Sequence, residues 1–383
     1  MVTFETGRKL GKGTYGTVYE GRDEEGRKVA IKCIDIKKNY HNVIEASIMT
    51  SYRHPYLAHC DYVSIDDENL YIIQEMAKND MYMLTRGNAL PLRKIKKYMY
   101  CIGKAIEFLH SRKIVHCDIK SSNLLLFDND VLKLADFSLS SLMRNRTQKK
   151  QISNDSHRPP ECYNEQSWSY PVDIWCLGCT LYELTYGRNI FPTQNEYKDF
   201  SRREMVWFCI LDWIAKNEKI VIDTVINGHK VSLNNIPIKK VNHPRYYYSD
   251  PYREVNKLIL KMLVSDPNKR ITIGEYLNDP FFDDVKIGEI KYDVLSNRKR
   301  DLTATEIKRL NDYKLSRTQR RLTLELLSYY HSDGPVGNDV YLMAIHLAHM
   351  LLNQKIPDYA RKYRPTMMLE NMDFCYHEAI FCV

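Results

Sequence analysis

Leu10 to Val18 reads LGKGTYGTV, with Gly11, Gly13 and Gly16 spaced as G-x-G-x-x-G. Glycine carries no Cβ, so backbone at such positions can come close to a phosphate oxygen. The spacing alone is common in loops, and the residues after the glycines decide the fold. A dinucleotide-binding fold places a helix directly after them. Here Thr17 to Glu20 and Lys28 to Ile34 alternate apolar and polar residues in short runs, the pattern of two hairpin strands. A glycine loop between antiparallel strands predicts a β-rich start in which backbone covers the phosphates of a nucleotide.

The second strand carries Val29, Ala30, Ile31 and Lys32. A lysine inside an apolar strand is costly unless it meets an anion. An edge-strand lysine that snorkels to water is the other reading. One hairpin turn returns Lys32 beneath the glycines, where α- and β-phosphates would be the anion. A helical pattern around His41 to Tyr52 offers Glu45 as a carboxylate to pair with Lys32, and Leu70 to Glu75 reads as a further strand. From Leu92 onward the pattern turns helical, with apolar residues every three to four positions in Tyr98–His110 and Val172–Tyr186. A small β-rich part precedes a larger helical part, with Met76 to Asp80 as connector. Asp279, Pro280, Phe281 and Phe282 close the region.

The chain has 383 residues, enough for two or three domains, with 44% apolar and 27% charged residues, as in globular proteins. It shows no long uncharged apolar run and no secretory leader, so the expectation is a chain without a membrane partner in the reducing cytoplasm or nucleus. Its ten cysteines then read as thiols. Cys176 and Cys179 have C-x-x-C spacing but no second pair at zinc-ribbon distance, and read as structural. Lys and Arg number 56 against 48 Asp and Glu, a net +8. That mild excess suits acidic ligands such as nucleotides and does not argue for nucleic acid.

Val115 to Leu126 reads VHCDIKSSNLLL, and Leu132 to Leu139 reads LKLADFSL. The first resembles the eukaryotic protein kinase catalytic loop, H-R-D-x-K-x-x-N, and the second the strand leading into D-F-G. The glycine loop and V-A-I-K fit the same family. HRPPEC at His157 to Cys162 resembles its A-P-E element with Pro160 and Glu161, and DIWCLG with Asp173, Trp175 and Gly178 its buried anchoring helix. DPNKR resembles its late arginine motif, in which Arg270 pairs with Glu161. The likeness runs from residue 4 to about 283.

It implies an α+β, two-lobed protein kinase fold: β-rich N-lobe 4–75, connector 76–80, helical C-lobe 81–283, and an all-α extension over 284–383. It implies an ATP-dependent Ser/Thr protein kinase that moves the γ-phosphoryl group to protein hydroxyls with Mg²⁺. Asp118 is then base and orienter, Lys120 steadies γ-phosphate charge, Lys32 and Glu45 form the ion pair, and Asn123 and Asp136 bind the metal. Lysine two residues after the aspartate is typical of Ser/Thr enzymes. Leu10, Gly11, Lys12, Gly13, Thr14, Tyr15, Gly16, Val18 and Ala30 would line the ATP site. Glu75 and Ala77 would offer backbone hydrogen bonds to adenine, and Asp80 would meet the ribose.

The departures carry information. Cys117 stands where the family has arginine, which implies activation that does not rest on a phosphorylated loop residue. Ser138 replaces the glycine after Asp136 and Phe137, and Ser121 replaces a proline. Thr14 and Tyr15 between glycines, Arg158 before two prolines, and an insert from about Glu204 to Tyr248 resemble the cyclin-dependent kinase group. Phosphorylation of Thr14 or Tyr15 would then inhibit. Arg144, Arg146, Lys149 and Lys150 make the activation segment basic, either as a solvated loop or as a preference for acidic substrates. In the extension, Leu302–Tyr330 and Val340–Leu352 read as helices. They faintly resemble the opening of a cyclin box, an in-cis activator, beside the plainer reading of a covering helical tail. Partners are protein substrates and a cyclin-like partner or that tail. Rival functions are a pseudokinase scaffold and a small-molecule kinase.

Overall fold

The computed structural model describes residues 5–13, 16–23, 25–35, 45–46, 48–49, 52–65, 69–143, 155–163, 168–191, 201–218, 223–226, 229–232, 252–288, 290 and 293–294. Thr14, Tyr15, the four basic activation-segment residues and both predicted helices of the extension lie outside them. Two compact units emerge, one drawn from residues up to His54, Ala58–Met76 and the residues after Ile290, the other from Pro55–Leu57 and Ala77–Ile290.

The first unit is built on strands β1 (Glu5–Lys12), β2 (Thr17–Arg22), β3 (Lys28–Asp35), β4 (Tyr52–Arg53), β5 (Cys60–Ile65) and β6 (Asn69–Glu75). Five of them form an antiparallel sheet in the order β1-β2-β3-β6-β5. The centre of the sheet belongs to β3, because Val29, Ala30 and Ile31 are all buried and only a central strand buries both faces. Val29, Ile31 and Ile73 form a cluster with Tyr71 packed on it. Each such side chain contributes roughly 1.5–3 kcal/mol by leaving water. Register puts Lys32 between Val18 on one side and Ile72 on the other, inside the sheet.

The second unit contains β7 (Asn79–Asp80), α1 (Met81–Thr85), α2 (Leu92–Ser111), β8 (Ile114–Val115), β9 (Leu124–Leu126), β10 (Leu132–Leu134) and β11 (Ser141–Leu142). It continues with α3 (Pro160–Tyr163), α4 (Pro171–Tyr186), α5 (Arg202–Glu218), β12 (Asp223–Ile226), β13 (His229–Ser232), α6 (Arg253–Met262) and α7 (Ile273–Leu277). A last described strand, β14 (Asp293–Val294), pairs with β4 in the first unit. The stretch predicted as a connector ends in β7, which pairs with β9, and Asp80 caps α1 by accepting from the Met83 amide at 2.8 Å. The expected insert holds α5 and the hairpin β12–β13.

Helix α2 buries Ile95, Tyr98, Met99, Ile102, Ala105, Ile106 and Leu109, the spacing of one helical face. It begins at Leu92, the expected start of the helical pattern, and its charged first residues Arg93, Lys94, Lys96 and Lys97 precede the clear apolar period of Tyr98–His110. Helix α4 is buried from Val172 to Thr185 without a break. It ends at Gly187, φ 68°, whose amide donates to the Glu183 carbonyl at 2.8 Å. A Cβ there would stand 2.3 Å from the Gly87 carbonyl oxygen, so no other residue fits. Among the described residues no helix is long and apolar enough to cross a membrane.

Candidate active site

In the first unit, β1 and β2 are the arms of the glycine loop. Gly11 pairs with Val18, and the Gly13 amide donates to the Gly16 carbonyl at 2.9 Å. A Cβ on Gly16 would meet the Cys33 carbonyl oxygen at 2.7 Å, so the loop sits on β3 only because this residue has none. Leu10, Gly11, Lys12 and Gly13 are exposed, Gly16 and Val18 half-buried, and Ala30 buried. Lys32 Nζ donates to both carboxylate oxygens of Glu45 at 2.7 Å, and the two side chains are 12% and 2% exposed. The expected pair is therefore formed, in an apolar strand where a lone ammonium would be costly. Glu75 is exposed at the end of β6.

In the second unit, the segment from His116 to Asn123 is held by side chains of α4. Asp173, fully buried, accepts from the His116 and Cys117 amides at 2.8 Å each and meets His110 Nε2 at 2.9 Å. Those bonds fix Cys117 at φ 68°, a left-handed conformation that costs a non-glycine residue roughly 1–2 kcal/mol. Asp136 has the same left-handed backbone, φ 65°.

His116 ties the two aspartates together. Its Nε2 donates to the Ala135 carbonyl at 3.1 Å, and its Nδ1 accepts from the Asp118 amide at 3.3 Å. That pattern fixes a neutral ring with its proton on Nε2. Burial depresses its pKa, although the nearby Asp173, Asp118 and Asp136 charges pull upward. The ring packs edge-on against Phe137 at 5.2 Å, and the Ala135 amide donates to the Asn123 carbonyl at 2.9 Å. Asp136 follows directly and is held at the catalytic loop.

Around Asp118 the hydrogen bonds are asymmetric. Its Oδ2 accepts from Lys120 Nζ at 2.6 Å and from Asn123 Nδ2 at 3.0 Å. Its Oδ1 is buried and makes no hydrogen bond among the described residues. A buried carboxylate oxygen without a donor is unfavourable. Asn123 makes both of its bonds through Nδ2, to Oδ2 and to the Asp118 carbonyl, which leaves its amide oxygen out of them. Asn123 and Asp136 offer oxygen donors, the chemistry of a hard divalent cation. Among the described residues no three His, Cys, Asp or Glu side chains cluster as a protein-built metal cage. Two protein ligands suit a cation whose remaining positions go to phosphates and water.

The departures have physical accounts. Cys117 sits in an apolar cluster with Val115, Met143, Cys162, Trp168 and Val172. Burial, then the Asp173 charge, pushes its thiol well above the usual range, so it is inert packing. Cys176 and Cys179 are likewise buried free thiols. Ser138 does not adopt positive φ, so the backbone there makes no demand for glycine. Glu161 and Arg270 form the expected bidentate pair at 2.9 and 3.0 Å. Ser121, Thr180, Glu183 and His157 also reach into the site, and their roles are not visible in the motifs. Ser121 reads as a tolerated substitution, and Thr180 and Glu183 are hidden in an apolar run. A polar residue at helical spacing from Asp173 is the one signal that could have found them.

The protein kinase domain family model matches residues 4–282. The mitogen-activated protein kinase Hog1 of Zymoseptoria tritici (strain CBS 115943 / IPO323) is 28% identical over 287 residues, covering 71% of this chain and 76% of that protein. With the aspartates, the lysines and the anchoring pair already in place, the match over most of the chain settles the family: this chain belongs to the protein kinases.

Proposed function

We propose that Asp118, Lys120, Asn123 and Asp136 are the transfer machinery of this protein serine/threonine kinase, which uses ATP with a divalent metal. The observation that carries the reading is the buried Oδ1 of Asp118, without a donor among the described residues and next to Lys120. A substrate hydroxyl is the donor that would complete it, and the carboxylate would orient that oxygen and take its proton as its bond to the γ-phosphorus forms and the bond from that phosphorus to the bridging oxygen breaks, releasing ADP. Lys120, released from Asp118 Oδ2 toward the γ-phosphate, would offset charge on the group in flight. Mg²⁺ is the metal we assign to Asn123 and Asp136; it neutralises phosphate charge when bound. Lys32, aimed by Glu45, holds the α- and β-phosphates. Leu10, Val18 and Ala30 flank adenine, Glu75 and Ala77 supply its backbone hydrogen bonds, Asp80 meets the ribose, and the loop from Gly11 to Gly16 covers the phosphates.

The apolar cluster around Cys117 supports activity that does not rest on a phosphorylated activation segment. It joins Met143 to Cys162 and Trp168 by packing, where an arginine would need a phosphate. The finer resemblance to cyclin-dependent kinases rests on Thr14, Tyr15 and Arg158, while the Zymoseptoria relative is a mitogen-activated protein kinase. We keep regulation by Thr14 or Tyr15 phosphate, and by a cyclin-like partner or the 284–383 extension in cis, as proposals on that basis.

Radiolabel transfer from ATP to a generic basic protein tests the core reading. Asp118→Asn should lower it at least about a hundredfold while thermal melting stays unchanged. An Asp118→Asn protein as active as wild type would move the base elsewhere, and a wild-type chain that transfers nothing would make it a nucleotide-binding scaffold.

A further inference from the structure

Helix α4 does more than hold Asp173. Asp173, Cys176, Thr180 and Glu183 recur every three to four residues and so line one face. Each of them bonds a different point of the substrate side. Asp173 takes the His116 and Cys117 amides. Cys176 Sγ donates to the His157 carbonyl at 3.2 Å. Thr180 Oγ1 donates to the Cys176 carbonyl of its own helix at 2.9 Å and lies 3.4 Å from the Ile119 carbonyl. Glu183 Oε1 accepts from Ser121 Oγ at 2.7 Å, both groups buried, while its Oε2 lies 3.8 Å from His157 Nε2, too far for a hydrogen bond. Ser121 opens the short turn that carries Asn123, and it follows Lys120 directly. His157 stands four residues before Glu161, with Ser156 Oγ at 2.9 Å from its Nδ1.

We propose that Ser121 and Glu183 form a positioning pair for the transfer, in which Glu183 holds the Lys120–Asn123 end of the catalytic loop to the same helix face that bonds the His157 carbonyl through Cys176. Asp173 fixes one end of the loop, and Glu183 fixes the other from the same helix face. A carboxyl buried this deeply is retained at a cost that an apolar residue in α4 would avoid. Burial raises the Glu183 pKa, the Ser121 bond opposing it. His157 is held neutral by burial and by the Lys120 charge, which places the ring within electrostatic reach of that lysine.

The inference rests on the assignment of Asp118 and Lys120, and the experiment separates the two. The full chain is assayed for transfer to a basic peptide as wild type, Ser121→Ala, Ser121→Thr, Glu183→Ala, Ser121→Ala with Glu183→Ala, and Asp118→Asn, each with a thermal melt. Ser121→Ala and Glu183→Ala should each lower kcat about tenfold, the worth of one buried hydrogen bond expressed in a rate, with KM for ATP unchanged. The double variant should lose no more than the worse single one, because both act through one bond. Ser121→Thr should restore most of kcat. Wild-type kcat in Ser121→Ala, multiplied losses in the double variant, or a loss that Ser121→Thr does not relieve would each overturn the proposal. Should Glu183→Ala fail to fold, the two Ser121 variants decide, since one removes a single oxygen and the other keeps it. An active Asp118→Asn instead overturns the assignment beneath.

Discussion

Two of the buried ion pairs among the described residues have the same charge type and different uses. Lys32–Glu45 sits in the sheet of the first unit, its lysine 12% exposed. Arg270–Glu161 sits in the second unit, 0% and 2% exposed. Arg270 also donates to the carbonyls of Pro171, Val264 and Ser265 and stacks over Trp175 at 5.1 Å. The planar fork satisfies many acceptors at once and cannot lose its charge, so it fastens three stretches of chain together. Lysine presents a compact charge on a flexible stem, and its grip on Glu45 can be shared with an arriving phosphate. The arginine pair suits a scaffold, and the lysine pair suits a working site.

The largest effect should come from breaking the scaffold pair. Arg270→Met leaves Glu161 buried and uncompensated and strands the three carbonyls, at a cost of about 3–5 kcal/mol. The thermal midpoint should fall by about 10 °C, while protein still folded below it keeps measurable transfer. A midpoint within about 2 °C of wild type would show that Arg270 is no anchor. Lys32→Met should invert that balance. Glu45 loses its donor inside the sheet, so stability drops by about 2 kcal/mol, yet transfer should fall at least about a hundredfold through lost phosphate stabilisation. Equal losses of stability and rate in both variants would erase the distinction.

Both pairs were legible in the sequence, and for the same reason. A lysine in Val29–Ala30–Ile31–Lys32 stands in an apolar strand that calls for an anion, and the resemblance to the kinase family implies Glu45 for it and Glu161 for Arg270 of DPNKR. The two-part order of strands and helices was equally plain, since the period changes near Leu92. The network through Ser121, Thr180 and Glu183 was hidden. Each partner lies about sixty residues away from the other, and an isolated serine or glutamate carries no local sign of burial. Only packing α4 against the catalytic loop brings them together.

A third, smaller effect concerns pH and the segment that leads into Glu161. His157 is pushed down to about 3, by burial first and then by the Lys120 charge. In the unfolded chain it returns to about 6.5. Below that value the unfolded state binds a proton that the folded state refuses, so this contribution to stability is whole above pH 6.5 and shrinks as pH falls toward 3. Buried His116, also depressed, acts in the same direction. His157→Gln has no such proton to bind. Between pH 6.5 and 5 the variant should lose about 2 kcal/mol less stability than wild type in denaturant titrations. Parallel curves for the two proteins would mean that the ring takes up its proton without leaving the fold. Lys32→Met should leave this acid limb unchanged, because it lies in the other unit.

The smallest effect isolates what makes either buried pair matter. Lys96 donates to Asp284 at 2.6 Å, shorter than the contacts in both pairs above, but the side chains are 23% and 66% exposed. Water competes for both charges, salt screens them, and two long side chains lose freedom to meet. Lys96→Ala should therefore change stability by less than about 1 kcal/mol and leave transfer untouched, and added salt should remove even that difference. If it cost as much as Arg270→Met, distance would govern these pairs. The contrast between the scaffold arginine and the working lysine would then need another cause than burial and the number of acceptors each cation serves.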